Sequence, residues 1–290
     1  MGKAAKGNGN RLTRRDWATG QAPFDKPIIR TRGIVMTDRQ SNREAGALHR
    51  KVLNQADDDQ GLAVPSYRDY VDDFYHGTVG ARDVLAIEDR LIPALTAVCY
   101  RGEKKAIARL VGAALDAGLE PRSVVEVFIQ SALYGGLPHT EQAIEIANDV
   151  FSRHKIALAD DPPDTRTSEQ LDQEGAAVME KLHGKRQAGG YASPEDPITF
   201  ALYQGAIRHG YGNLWIRPGL DMRQRMICAI AGFSMLGLHD SLRKFCVSAL
   251  NVGLSKQQVA EAAIQTAPWN SLPVAMTALA TISAALAEID

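Results

Sequence analysis

The chain repeats itself. Displaced by 135 residues, Gly77–Ala143 aligns without a gap on Gly212–Ala278, and 19 of the 67 pairs are identical. The identities include Arg82/Arg217, Arg90/Arg225, Gly102/Gly237, Gly118/Gly253, Glu126/Glu261, Gln130/Gln265 and Pro138/Pro273. A repeat of this length means that one supersecondary unit occurs twice, so whatever fold the first half adopts the second must adopt too. Further upstream the match loosens but persists, with Gly46 and Leu53 answered by Gly175 and Leu182. The expected organisation is an N-terminal arm over 1–37, a first unit over 38–155, a linker over 156–168 and a second unit over 169–290. Consecutive prolines in Asp160-Asp161-Pro162-Pro163-Asp164 mark the linker, because proline ends a helix and the flanking aspartates favour solvent.

Each unit reads as helical, which makes the fold class all-α with two tandem units. Leu91, Ile92, Leu95 and Val98 form one helical stripe, and Ile107, Leu110, Val111 and Ala114 form another. Pro93 is expected to kink the first of these helices. Gly118 and Gly253 stand where a helix stop needs positive φ. Pro121 opens the next helix, and in the second unit Ser255 with Gln258 forms a capping box. That helix is expected to break before Pro138 or Pro273, with a last helix over Glu141–Arg153. Aromatic residues are only 6% of the chain and alanine is abundant, a balance that suits closely packed helices.

A formal charge of −1 offers no electrostatic reason to expect nucleic acid or an anionic membrane as partner. The basic start lacks the apolar core of a secretory signal, and Val274–Ala287 is too short to span a bilayer. Cys99, Cys228 and Cys246 lie far apart without a C-x-x-C, so a reducing cytoplasm is the expected location and the thiols are expected to be buried filler. No His/Asp/Glu cluster has ligand spacing, and neither a metal nor another cofactor is expected.

Three groups of residues could carry chemistry. Glu126 and Gln130, like Glu261 and Gln265, lie four apart on one helix face, as a packing device or as part of a site. Tyr134 and His139 flank Gly135-Gly136-Leu137-Pro138 and supply a donor and a group that titrates near neutrality. The second unit has Trp269 at the position of Tyr134. His209 and Trp215 precede Arg217, and rings beside a guanidinium can grip a small carboxylate, although an arginine before a helix is often only a surface residue.

The run Gly212–Arg225, the later Ala249-Leu250-Asn251-Val252-Gly253, and Glu126, Gln130 and Tyr134–Pro138 in the first unit resemble the carboxymuconolactone decarboxylase family. The resemblance covers both units. It implies an antiparallel helical unit that assembles in trimers or hexameric rings, so a homo-oligomer of this chain (three tandem chains, or a dimer) is expected, with a small-molecule substrate. The family's histidine would fall at Leu110 and Phe245 and is absent from both. The related alkyl hydroperoxidase D-type branch adds a C-x-x-C at positions filled here by Glu103 and Ala106, and by Leu238 and Ser241, which disfavours a peroxidase. Decarboxylation of a small carboxylated or lactone-type substrate, or isomerisation or cyclisation through the same enolate, is the implied activity; a non-catalytic oligomer is the alternative. In that reading Arg90 or Arg217 binds the carboxylate and Glu126, Tyr134 or His139 delivers a proton. Trp215, His209, Gln130, Glu261 and Trp269 complete the binding surface.

Overall fold

A computed structural model describes residues 39–53, 64–184 and 196–289, and among these every regular element is a helix. The expected N-terminal arm over 1–37 lies outside them. In the first half α1 spans Arg39–Val52, and α2 spans Pro65–Val71 and continues into a π-helical segment, π1, over Asp72–Gly80. Then come α3 (Ile87–Arg101), α4 (Lys104–Asp116), α5 (Pro121–Gly135) and α6 (Leu137–Arg153). The second half runs α7 (Ser168–His183), α8 (Pro197–Gly205) continuing into π2 (Ala206–Tyr211), α9 (Met222–Leu236), α10 (His239–Asn251), α11 (Lys256–Ile264) and α12 (Leu272–Ala287). Helices α9 and α10 begin and end 135 positions after α3 and α4.

Local chemistry sets these boundaries. Asp221 and Ser255 close capping boxes on α9 and α11, Thr167 does so on α7, and the Glu103 carboxylate accepts two backbone N–H groups at the start of α4. Gly102 and Gly237 end α3 and α9 in the left-handed region, at φ 64° and 68°. Helix α3 continues through Pro93 to Arg101.

The prolines behave differently from expectation at two places. Pro138 and Pro273 begin α6 and α12 rather than preceding a later helix, because proline in the first helical turn lacks only an N–H that has no intrahelical acceptor there. Pro268 then separates the halves. It stands where the first half has Leu133, and with no N–H to donate it ends α11 at Ile264; a short 3₁₀ turn over Ala267–Trp269 follows.

Helices α3 and α9 form the centre. Each buries ten residues, too many for a single stripe, because each is covered on several sides. They pack on each other, with Thr96 Oγ1 3.2 Å from Cys228 Sγ across the contact. Around them, π1 lies against α1 and π2 against α7 with backbone nearly touching backbone. A Cβ on Gly175 would overlap the Ile207 carbonyl oxygen, and one on Gly212 would overlap that of Leu171. Gly175→Ala should therefore destabilise the protein by about 2–3 kcal/mol, since the obstacle is a backbone atom that cannot rotate away. Chemical denaturation checks this; a change below about 0.5 kcal/mol, the range of an ordinary surface substitution, would show the helices free to separate.

Candidate active site

Glu126 and Gln130 sit one turn apart on α5, fully buried, facing α9. Three arginines converge on the Glu126 carboxylate. Oε1 accepts from Arg122 Nη2 at 2.9 Å and Arg217 Nε at 3.0 Å, and Oε2 accepts from Arg225 Nη2 at 3.0 Å. Asp161 closes the outer side through Arg122 Nη1 at 2.6 Å and Arg217 Nη2 at 2.9 Å. The expected linker thus holds arginines rather than simply facing solvent. The loop carrying Arg217 comes this close because Gly219, at φ 96°, lies against Arg122 and Glu126, and Ser123 Oγ donates to its carbonyl at 2.6 Å.

From this cluster a chain of hydrogen bonds leads in one direction. Arg225, itself fully buried, donates from Nη1 to Gln130 Oε1 at 2.9 Å, and Gln130 Nε2 donates to the Tyr134 hydroxyl at 3.0 Å. An accepting phenol keeps its own O–H to give away, and each bond polarises the next. Tyr134 lines a cavity of about 200 Å³ with Trp215, Tyr211, Phe233 and Phe245. Burial pushes its hydroxyl well above the usual phenol range, while Gln130 and the Arg225 charge oppose that shift.

Behind Tyr211 stands a histidine. His183, from the end of α7, is 1% exposed; its Nε2 lies 3.0 Å from the Tyr211 hydroxyl and its Nδ1 2.7 Å from Ser248 Oγ. The His183 ring meets Phe245 edge-on, with centroids 5.0 Å apart. Phe245 and Leu110 stand where the family resemblance places a histidine. Both are buried and apolar, but beside Phe245 an imidazole arrives from a different helix.

The second half's own polar pair is arranged differently. Among the arginines of the described residues Glu261 accepts from Arg82, from Nε at 2.8 and 2.9 Å. Gln265 turns its amide back to Glu261 Oε1 and to the Val79 carbonyl, at 2.8 and 2.9 Å. Trp269 follows where the first half has Tyr134. Among the described residues no chain of donors leads from an arginine to a hydroxyl on this side.

The structure brings Tyr134 and Trp215 to one cavity, with Gln130 buried behind Tyr134 as its hydrogen-bond donor and with Glu126 and Arg217 in the ion cluster beyond. It separates the others. His139 is exposed in the first turn of α6 and does not line the Tyr134 cavity, because Gly136, at φ 88°, redirects the chain between the two residues. His209 is exposed on π2. Arg90 donates to the carbonyls of Gly80 and Arg82, stitching the loop before α3. Trp269 lies edge-on to Tyr75 in a different cavity. Arg225 was visible as a repeated residue, and Tyr211 sits beside His209 in the aromatic run. His183 carried no signal, since nothing in the spacing connects it to Tyr211.

The equivalent of Trp215 in the first half is Gly80, and there the His49 ring fills the space a side chain would occupy. His49 Nδ1 lies 3.1 Å from His76 Nδ1, so one ring donates and the other accepts, both neutral. Burial and nearby arginines hold His49 down to about 4 and His76 to about 3, against 6.5 ordinarily. The unfolded chain therefore binds more protons than the native one between pH 6.5 and about 3. The stability these rings contribute is complete above 6.5 and is lost as pH falls through that window. Thermal melts from pH 7 to 4 should show this decline, and it should be shallower in a His49→Gln/His76→Asn double variant; parallel curves would refute the assignment.

All three cysteines are buried and unpaired, and burial raises Cys99 and Cys246 to about 12. Among the described residues no group of three or more His, Cys, Asp or Glu side chains is gathered for a metal ion, and no helix is long and apolar enough to cross a membrane. Residues 201–284 match the carboxymuconolactone decarboxylase family. Over 111 residues the chain is 31% identical to 4-carboxymuconolactone decarboxylase of Acinetobacter baylyi, an alignment covering 38% of this chain and 83% of that relative.

Proposed function

Because the chain belongs to the carboxymuconolactone decarboxylase family, we propose that it is a lyase removing carbon dioxide from a small carboxylated lactone in the cavity lined by Tyr134, Tyr211 and Trp215. The observation that carries this reading is the directed chain from Arg225 through Gln130 to Tyr134, which ends at that cavity. When the bond to the carboxylate breaks, its electron pair moves toward the lactone carbonyl and carbon dioxide leaves. The dienolate that results needs a donor at oxygen and a proton at carbon. Tyr211, with His183 behind it, faces the oxygen. Tyr134 gives its proton to the carbon, and the phenolate left is held by the Gln130 amide and the Arg225 charge until water returns a proton. The conjugated carbonyl is the electron sink, so the chemistry calls for no cofactor.

Glu126 has a different role here from the one its position suggested. Its oxygens are taken up by guanidinium groups, so it anchors the arginines. A cavity of about 200 Å³ suits a monocyclic substrate.

Duplication of one family unit, with bounds at 38–155 and 169–290, fits this picture: 111 residues of this chain span 83% of a relative, so that relative is under half its length. The Tyr134 cavity takes its walls from both halves, which gives duplication a functional consequence, and three such chains would supply six units to a ring. Purified protein given 4-carboxymuconolactone in D₂O should release carbon dioxide and leave one deuterium on the product carbon. Product without carbon dioxide loss would indicate isomerisation or cyclisation through the same enolate. Neither, together with a bound and unaltered lactone, would favour a non-catalytic protein, the reading that the apolar Leu110 and Phe245 support.

A further inference from the structure

Gly210 is a glycine that the fold does not require. Gly175 and Gly212 let backbones touch, and Gly136 and Gly219 adopt positive φ. Gly210 does neither. It stands in π2 without positive φ, and among the described residues a Cβ there would meet only Leu133 Cδ2, at the ordinary contact distance of 3.5 Å. Alanine would be more stable at such a position, because glycine leaves the unfolded chain more freedom to lose. Yet Gly210 is buried and lines the Tyr134 cavity. A residue that costs stability and borders a cavity is one kept for what the cavity holds.

The other half shows what a side chain does at this position. In the cavity beside the Ala267–Trp269 turn, Val71, Tyr75 and Trp269 stand 135 residues from Ala206, Gly210 and Tyr134, all of which line their own cavity. There the Tyr75 ring lies edge-on to Trp269, with centroids 5.2 Å apart. The chain thus sets a ring of its own against the aromatic residue that replaces Tyr134. In the Tyr134 cavity the two π-helical side chains are cut back to alanine and glycine, four residues apart on π2. We propose that Gly210 is a specificity-determining residue: it leaves beside Tyr134 the place of one planar ring, and the substrate's ring takes the position that Tyr75 holds against Trp269. The proposal rests on reading the Tyr134 cavity as the active site, and it adds where the ring lies and which residue limits its size. Edge-to-face contact is a favoured arrangement for a flat ring beside a phenol. One site per chain follows, since Tyr75 already holds the equivalent place in the other half.

Phenol, the Tyr75 ring as a free molecule, is the binding probe, and 4-carboxymuconolactone is the substrate probe. Wild type should bind phenol in isothermal titration. Gly210→Tyr, which copies the other half, and Gly210→Leu should each weaken that binding at least tenfold, because the new side chain takes the place of the ring. Gly210→Ala should melt no lower than wild type, which a glycine needed by the fold would not allow. For the lactone, kcat/KM should fall at least tenfold in Gly210→Leu, mainly through KM, since Tyr134 and its donors are untouched. The proposal fails if wild type binds no phenol, if Gly210→Tyr and Gly210→Leu bind it as tightly as wild type, or if Gly210→Ala melts well below wild type. Phenol bound and excluded in this way by a protein that leaves the lactone unaltered would uphold the ring site and sink decarboxylation. Lactone turnover at the wild-type rate in Gly210→Leu would do the reverse.

Discussion

Glu126→Ala should lower stability by about 3–5 kcal/mol, the loss expected when one partner of a buried ion cluster is removed. The carboxylate is fully buried and is the shared acceptor of three guanidinium groups. Arg122 and Arg217 are about one-quarter exposed and keep Asp161, so they survive its removal. Arg225 does not: it is fully buried, its Nε already lacks an acceptor, and without Glu126 its charge is left with Gln130 and backbone carbonyls. For a protein of this size the loss corresponds to a melting point lower by about 6–20 °C. Glu261→Ala should cost less, because its one arginine, Arg82, has 22% of its side chain exposed and water can replace the carboxylate. A Glu126→Met/Arg225→Leu pair should recover much of the loss, since the penalty lies in the stranded charge and not in the missing bond. Equal melting points for Glu126→Ala and wild type would mean that water reaches Arg225 and that the cluster is not the dry interlock described.

Tyr134→Phe should reduce kcat by about 10²–10⁴-fold, the contribution of one positioned acid, and leave KM within a few-fold. The ring stays, packed against Phe233 with centroids 4.7 Å apart, so the cavity keeps its shape and loses only the hydroxyl. Gln130→Met should produce a smaller loss of turnover, because the proton remains but the polarising bond is gone; it should also destabilise the fold by stranding Arg225 Nη1. This difference separates the chain of donors from simple packing: Tyr134→Phe should affect rate far more than melting, since it strands only the neutral Gln130 amide, and Gln130→Met, which strands a charged donor, should lower melting further. Turnover of Tyr134→Phe within threefold of wild type would remove Tyr134 from the chemistry and leave Tyr211 and His183 as the donors to examine.

Part of this site was legible in the chain. Glu126 and Gln130 could be placed on one helix face from their spacing, and Tyr134 one turn further on, because helical geometry is local and periodic. The arginines were visible as repeated residues, but their partners were not. Arg217 reaches Glu126 across 91 residues and Arg225 across 99, and no periodicity reports which of several carboxylates a guanidinium will find. His139 shows the converse error. It is close to Tyr134 in sequence and was grouped with it, yet one glycine with positive φ sends the next helix elsewhere. His183 was missed for the same physical reason in reverse: its partners Tyr211 and Ser248 are 28 and 65 residues away.

What followed from sequence alone was the helical class, the 135-residue correspondence and several helix ends, since hydrophobic period, capping side chains and glycine stops act within a turn or two of where they stand. Tertiary structure decided which of two similar polar pairs ends at a hydroxyl in a cavity. The two halves are alike in pattern, but His49 fills the space above Gly80, and two distant arginines reach Glu126 where one reaches Glu261. Those outcomes depend on packing and charge burial between residues distant along the chain, and that is why they appear only once the chain is folded.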